Sequence, residues 1–238
     1  MPSALRVRAL TKNYGSTAAL QGVDLDVAEG EVYGLLGPNG AGKTTVMKAV
    51  AGLLRPDSGT LEVAGRPFTR DSLRGIGALI DGPGLWPRMD ARQHLRAHAR
   101  LRGVDPDRAA ADLLPLVGLD QVADRRSSAY SLGMRWRLGI AIAMIGSPRL
   151  LVLDEPTNGL DPIGMREMRA LLRRLAESGA TVFVSSHQLD QIARTCDRVG
   201  VIVHGRTRYE GALSGLARDG DLEAGFFSLV ERTSSGVR

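Results

Sequence analysis

The sequence predicts an α/β fold: a parallel core sheet, an antiparallel β region ahead of it, and an α-helical subdomain inserted into the core. Three observations carry this. Beyond Leu150, short apolar runs alternate with helix-like segments, which implies parallel strands joined by helical crossovers. A glycine-rich turn separates the apolar run Val32-Tyr33-Gly34-Leu35-Leu36 from the helix-like Val46-Met47-Lys48-Ala49-Val50. From Met89 to about Ile145 strand signals give way to segments rich in Ala, Leu and Arg.

Taken in order, residues 5–10 and 23–27 alternate in polarity as half-buried strands do, and Gly30 marks a turn. Residues 32–36 read as a buried strand, and 61–63 and 75–80 as further short ones. The Gly/Pro-rich loop Asp81-Gly82-Pro83-Gly84 follows. Residues 92–101, 108–117 and 131–144 read as helices and define an inserted helical subdomain over residues 86–146 of a single 1–238 domain. Residues 150–153, 181–184 and 199–203 are core strands, separated by helices over 164–177 and 188–195.

Composition narrows the class. At 238 residues and 43% hydrophobic the chain has material for one large core, and 4% aromatic residues predict an aliphatic one. Its single cysteine, Cys196, excludes an internal disulfide and fits a reducing compartment. No apolar run reaches the roughly 18 residues needed to span a bilayer, and residues 1–6 lack a signal-peptide core. A cytoplasmic location is therefore expected. The net charge of +5 is carried almost wholly by arginines, scattered among acids rather than clustered. No direct nucleic-acid role is expected, while a mildly basic surface suits work beside an anionic membrane.

The strand–turn–helix context gives the turn Gly37-Pro38-Asn39-Gly40-Ala41-Gly42-Lys43-Thr44-Thr45 its meaning. Glycines let successive backbone N–H groups converge into an anion-binding nest, and the helix start adds unpaired N–H groups. This is the phosphate-binding loop of nucleotide-hydrolysing enzymes: Lys43 reaches the β- and γ-phosphates and the Thr44 hydroxyl ligates Mg²⁺. The predicted core is thus an α/β P-loop NTPase (RecA-like) one, with ATP and Mg²⁺ as its cofactors. A second half of the site lies at Leu150-Leu151-Val152-Leu153-Asp154-Glu155, an apolar strand ending in two acids. Desolvated carboxylates are costly without partners, so Asp154 is assigned to Mg²⁺ and Glu155 to the general base that polarises the attacking water. His94 and His98, four apart on a predicted helix, lack an acid or thiol companion and read as surface residues rather than as a metal pair.

On these motifs the chain resembles the ATP-binding subunit of an ABC transporter over nearly its whole length. Tyr130-Ser131-Leu132-Gly133-Met134 stands where that family carries its Leu-Ser-Gly-Gly-Gln signature, Asn158-Gly159-Leu160-Asp161 resembles the D-loop, His187 the switch histidine and Tyr14 the adenine-stacking aromatic. The resemblance implies that Ser131 and Gly133 aim a helix start at the γ-phosphate held by a second subunit. Two chains would then form a homodimer around two ATP molecules, coupled through Asp161, with His187 bonding the γ-phosphate. It also implies permease subunits as partners and a peripheral position on the cytoplasmic face of the membrane. Leu132 and Met134 depart from the signature, and Asp81 stands where the family has a glutamine that reaches Mg²⁺; keeping an oxygen ligand, though shorter and anionic, Asp81 is expected at the metal with Thr44 and Asp154. These departures resemble the bacitracin-resistance and lantibiotic-immunity branch of exporters. The expected function is the ATPase subunit of a drug or peptide exporter. The alternatives are a soluble ABC ATPase, such as an iron–sulfur assembly type, and an importer subunit. Leu85, Trp86 and Pro87, next to the Asp81 loop, are expected to face the permease.

Overall fold

The computed structural model describes residues 2–217 and 220–234. It opens with a long antiparallel hairpin of β1 (Ser3–Tyr14) and β2 (Thr17–Ala28), followed by β3 (Val32–Leu36), α1 (Lys43–Val50), β4 (Ser58–Val63) and β5 (Arg66–Pro67). β4 pairs with the free side of β1, giving an antiparallel sheet of order β2-β1-β4-β5. Between β6 (Ile76–Leu79) and β7 (Leu150–Leu153) lie α2 (Ala91–Leu101), α3 (Pro106–Leu116) and α4 (Leu132–Ala143). Then come α5 (Pro162–Glu177), β8 (Thr181–Ser186), α6 (Leu189–Thr195), β9 (Arg198–Val203), β10 (Arg206–Ala212), α7 (Leu213–Leu216) and α8 (Leu222–Ser234). The second sheet runs β10-β9-β3-β8-β7-β6; β9, β3, β8, β7 and β6 are mutually parallel, and β10 closes one edge antiparallel to β9.

Strand periodicity sorts the core into two layers. Tyr33, Leu35, Leu150, Val152, Phe183 and Ile202 point toward the antiparallel sheet and α1. Their neighbours in sequence, including Leu36, Leu151, Leu153, Val182, Val184 and Val201, point toward the helices on the other face. Successive side chains of a strand leave opposite faces, so a strand covered on both sides must be apolar throughout. That is why β3 and β7 read as unbroken apolar runs. The aliphatic expectation holds for most of this core, with Tyr33 and Phe183 as a tilted aromatic pair at its centre, 5.8 Å apart.

The helix starts follow from side-chain caps. Asp90 accepts from the Gln93 N–H at 2.8 Å while Gln93 accepts from the Asp90 N–H at 3.0 Å, a reciprocal box that begins α2. α3 begins at Pro106, two residues ahead of the segment the periodicity indicated. Asp105 caps it through the Asp107 and Arg108 N–H groups, and proline at the first helical position loses no bond. β10 and α8 have no counterpart in the sequence expectations. β10 is an edge strand with alternating polar residues, a weaker pattern than the buried strands beside it.

Candidate functional site

The site gathers at the C-terminal ends of β3, β7 and β8, where parallel neighbours bring distant residues level. Residues 37–42 leave β3 and return to start α1. Gly42, at φ 107°, lies in a left-handed conformation that side chains resist, and a Cβ on Gly37 would run into the Ile202 carbonyl of β9. Ala41 anchors the loop by accepting the Gly205 N–H at 3.0 Å. No side chain caps α1 and its first turn holds no acid, so its leading N–H groups remain open to an anion.

Lys43 is buried, and its Nζ donates to the carbonyls of Gly37 at 2.7 Å and Pro38 at 3.2 Å. Burial pulls its pKa down, opposed by the charges of Glu155 and then Asp154. The Lys43 Nζ to Glu155 Oε1 distance is 3.6 Å. Thr44 Oγ1 donates to Asp154 Oδ2 at 2.8 Å, and Ser185 Oγ donates to Asp154 Oδ1 at 2.5 Å. Asp154 is thereby satisfied at both oxygens despite its burial. The same Ser185 hydroxyl accepts the Glu155 N–H at 2.9 Å. Glu155 stands at φ 52°, a left-handed position costly for its side-chain type, and its Oε2 lies 2.9 Å from His187 Nδ1. Residues from α1, β7 and the end of β8 therefore form one continuous polar chain: Thr44–Asp154–Ser185 on one side, Lys43–Glu155–His187 on the other.

The remaining expected site residues sit apart from this chain. Tyr14 ends β1 and is half exposed. Asp81, at φ 62°, pairs its Oδ2 with Lys48 Nζ at 2.7 Å. Ser131 caps α4 through the Met134 N–H at 3.2 Å, and Asp161 caps α5 through the Gly164 N–H at 2.7 Å. Ser131, Leu132, Gly133, Leu160 and Asp161 line a common hollow of about 350 Å³. The signature-like and D-loop-like segments thus face the same space, and the second is tied back to the polar chain by the Asn158 N–H, which donates to the Glu155 carbonyl at 3.0 Å.

One expectation is corrected. His94 is fully buried, not a surface residue: its Nε2 accepts the Trp86 N–H at 2.9 Å, and Nδ1 lies 2.7 Å from the Asp90 carbonyl. The Trp86 ring stacks on His94 and His98 at centroid distances of 5.6 and 5.3 Å. The i,i+4 spacing was visible in the sequence, but the aromatic it serves comes from a loop eight residues upstream. Among the described residues no cluster of His, Cys, Asp and Glu suits a metal ion by itself. The role of Ser185 was also hidden, because a serine at the end of an apolar strand carries no motif. No helix among the described residues is long and apolar enough to cross a membrane.

A protein-family model described as ABC transporter matches residues 20–158. The bacitracin transport ATP-binding protein BcrA of Bacillus licheniformis is 42% identical over 210 residues, covering 87% of this chain and 69% of that protein. The lantibiotic transport ATP-binding protein SrtF of Streptococcus pyogenes is 40% identical over 211 residues, covering 89% and 92%. Among solved structures, an ATP-binding subunit of an ABC transporter superposes with a TM-score of 0.83 at 27% identity, over 95% of this chain and 99% of the other.

Proposed function

Because the chain belongs to the ABC transporter family, as an ATP-binding subunit, we propose that it hydrolyses Mg²⁺-bound ATP to drive export of a drug or peptide through separate permease subunits. The observation that carries the chemistry is the polar chain in which Lys43, Glu155 and His187 adjoin Thr44, Asp154 and Ser185 beside the phosphate loop. The export reading rests on the relatives that handle bacitracin and lantibiotics.

Each residue then has a task that follows from its chemistry. Tyr14 offers a half-exposed ring for adenine to stack on. Residues 37–45 cradle the phosphates with backbone N–H groups, and Lys43 exchanges two carbonyl partners for phosphate oxygens. The hydroxyl of Thr44 and the carboxylate of Asp154 form an all-oxygen pair that fits Mg²⁺, which when bound offsets phosphate charge. Glu155 accepts the proton of the attacking water, while His187 holds its carboxylate in place and contacts the γ-phosphate. Ser131 and Gly133 present a helix start to the nucleotide of a second copy, with Asp161 at the same hollow. Residues 86–146 act as the helical subdomain, and Trp86 with Leu85 and Pro87 faces the permease.

Phosphate release by the purified chain tests the reading. The wild type hydrolyses ATP only when Mg²⁺ is added, and Lys43→Ala loses nucleotide binding itself. Turnover equal in wild type and Lys43→Ala would end this assignment.

A further inference from the structure

The pair Lys48–Asp81 is not used by the chemistry above, although it borders it. Thr44 and Lys48 are four apart on α1 and so share a face one turn apart. Thr44 bonds Asp154 at the end of β7, and Lys48 bonds Asp81 just past the end of β6. These strands are neighbours, tied by the Asp154 N–H to the Leu79 carbonyl at 3.0 Å. Two carboxylates from adjacent strand ends therefore meet one helix face, one on a hydroxyl and the other on an ammonium. Asp81 reaches Lys48 through two successive left-handed residues, φ 62° at Asp81 and 94° at Gly82. Aspartate and glycine are residue types that take such a conformation readily. The ammonium is held charged first by the hydrogen bond to Asp81, and the charges of Asp81, Tyr14 and Asp154 add to this. Asp81 is 65% exposed, and an exposed ion pair adds little to stability. What the pair does do is fix where a third carboxylate stands.

We propose that Lys48 is a positioning residue of the metal site: it parks the Asp81 carboxylate on α1 one turn from Thr44 and keeps it out of the cation's ligand set. The proposal rests on the assignment of Thr44 and Asp154 to the metal. Hard-cation affinity follows the number of charged oxygen ligands. Releasing Asp81 adds one beside the site, whereas retaining any cation at position 48 does not.

The test is Mn²⁺ binding in the presence of a slowly hydrolysed ATP analogue, followed by the electron paramagnetic signal of free Mn²⁺. Lys48→Met is expected to tighten Mn²⁺ binding by up to about fivefold, the most that an exposed ion pair can withhold, and Lys48→Arg to leave it at the wild-type value. In Lys48→Met combined with Asp81→Asn the gain disappears. A thermal melt of each variant is expected to stay close to wild type, which separates positioning from folding. Lys48→Met binding Mn²⁺ as the wild type does, or a gain that survives Asp81→Asn, overturns the proposal alone. Wild-type protein that binds no Mn²⁺ with the nucleotide, or binds it equally well as Thr44→Val, overturns the metal assignment and this proposal with it.

Discussion

Glu155→Gln separates proton acceptance from everything else the site does. The amide has nearly the shape of the carboxylate and keeps an oxygen toward His187, so the 2.9 Å contact can persist as a hydrogen bond. It leaves Thr44 and Asp154 untouched and occupies the same left-handed backbone position, so folding should change little. Only the negative charge and the basic oxygen are lost. A general base contributes about 10²–10⁴-fold, or roughly 2.7–5.5 kcal/mol of barrier. Nucleotide affinity should hold or improve, because a carboxylate 3.6 Å from Lys43 no longer competes with phosphate for that ammonium. The assay pairs steady-state phosphate release with equilibrium binding of a fluorescent ATP analogue, and size exclusion in ATP without turnover reports an accumulated dimer. Turnover within a few-fold of wild type would refute the base assignment. A comparable loss of binding and turnover would instead make Glu155 a structural support for Lys43.

Four further outcomes are expected. Ser185→Ala removes one donor from buried Asp154 and the acceptor of the Glu155 N–H, so it should cost about 1–3 kcal/mol and lower turnover, checked by denaturant melts and phosphate release. Mixing in Ser131→Arg should depress wild-type activity, and specific activity should rise with protein concentration; strict proportionality without poisoning would count against a shared site. Trp86→Ala should lose two ring stacks and lower Tm by a few degrees while greatly weakening capture of the permease in a pull-down; unchanged capture would leave Trp86 with its packing role only. Burial pushes the Cys196 thiol well above its ordinary pKa, so native protein should resist alkylation at pH 8 and react only on unfolding.

What the sequence determined by itself is the part written in local patterns. Residues 32–36 and 150–153 had to be strands covered on both faces, since nothing polar interrupts them. The glycines at 37, 40 and 42 between a strand and a helix specified an anion nest, because each step of that turn depends on adjacent residues. Paired acids at the end of a buried strand announced a partner, and the order of motifs identified the family. Tertiary structure decided who the partners are. Ser185 serves Asp154 across 31 positions only because β7 and β8 are parallel neighbours in register. Asp81, expected at the metal from its place in the sequence, meets Lys48 from a left-handed position just past β6, a partner that no local pattern indicates. His94 is buried because a loop tryptophan folds back over its helix, a contact with no sequence period. Local patterns fix a residue's conformation and which face it shows. The lengths of strands and loops, acting through the sheet order, decide what stands opposite that face, and the chemistry of this site depends on those opposed pairs.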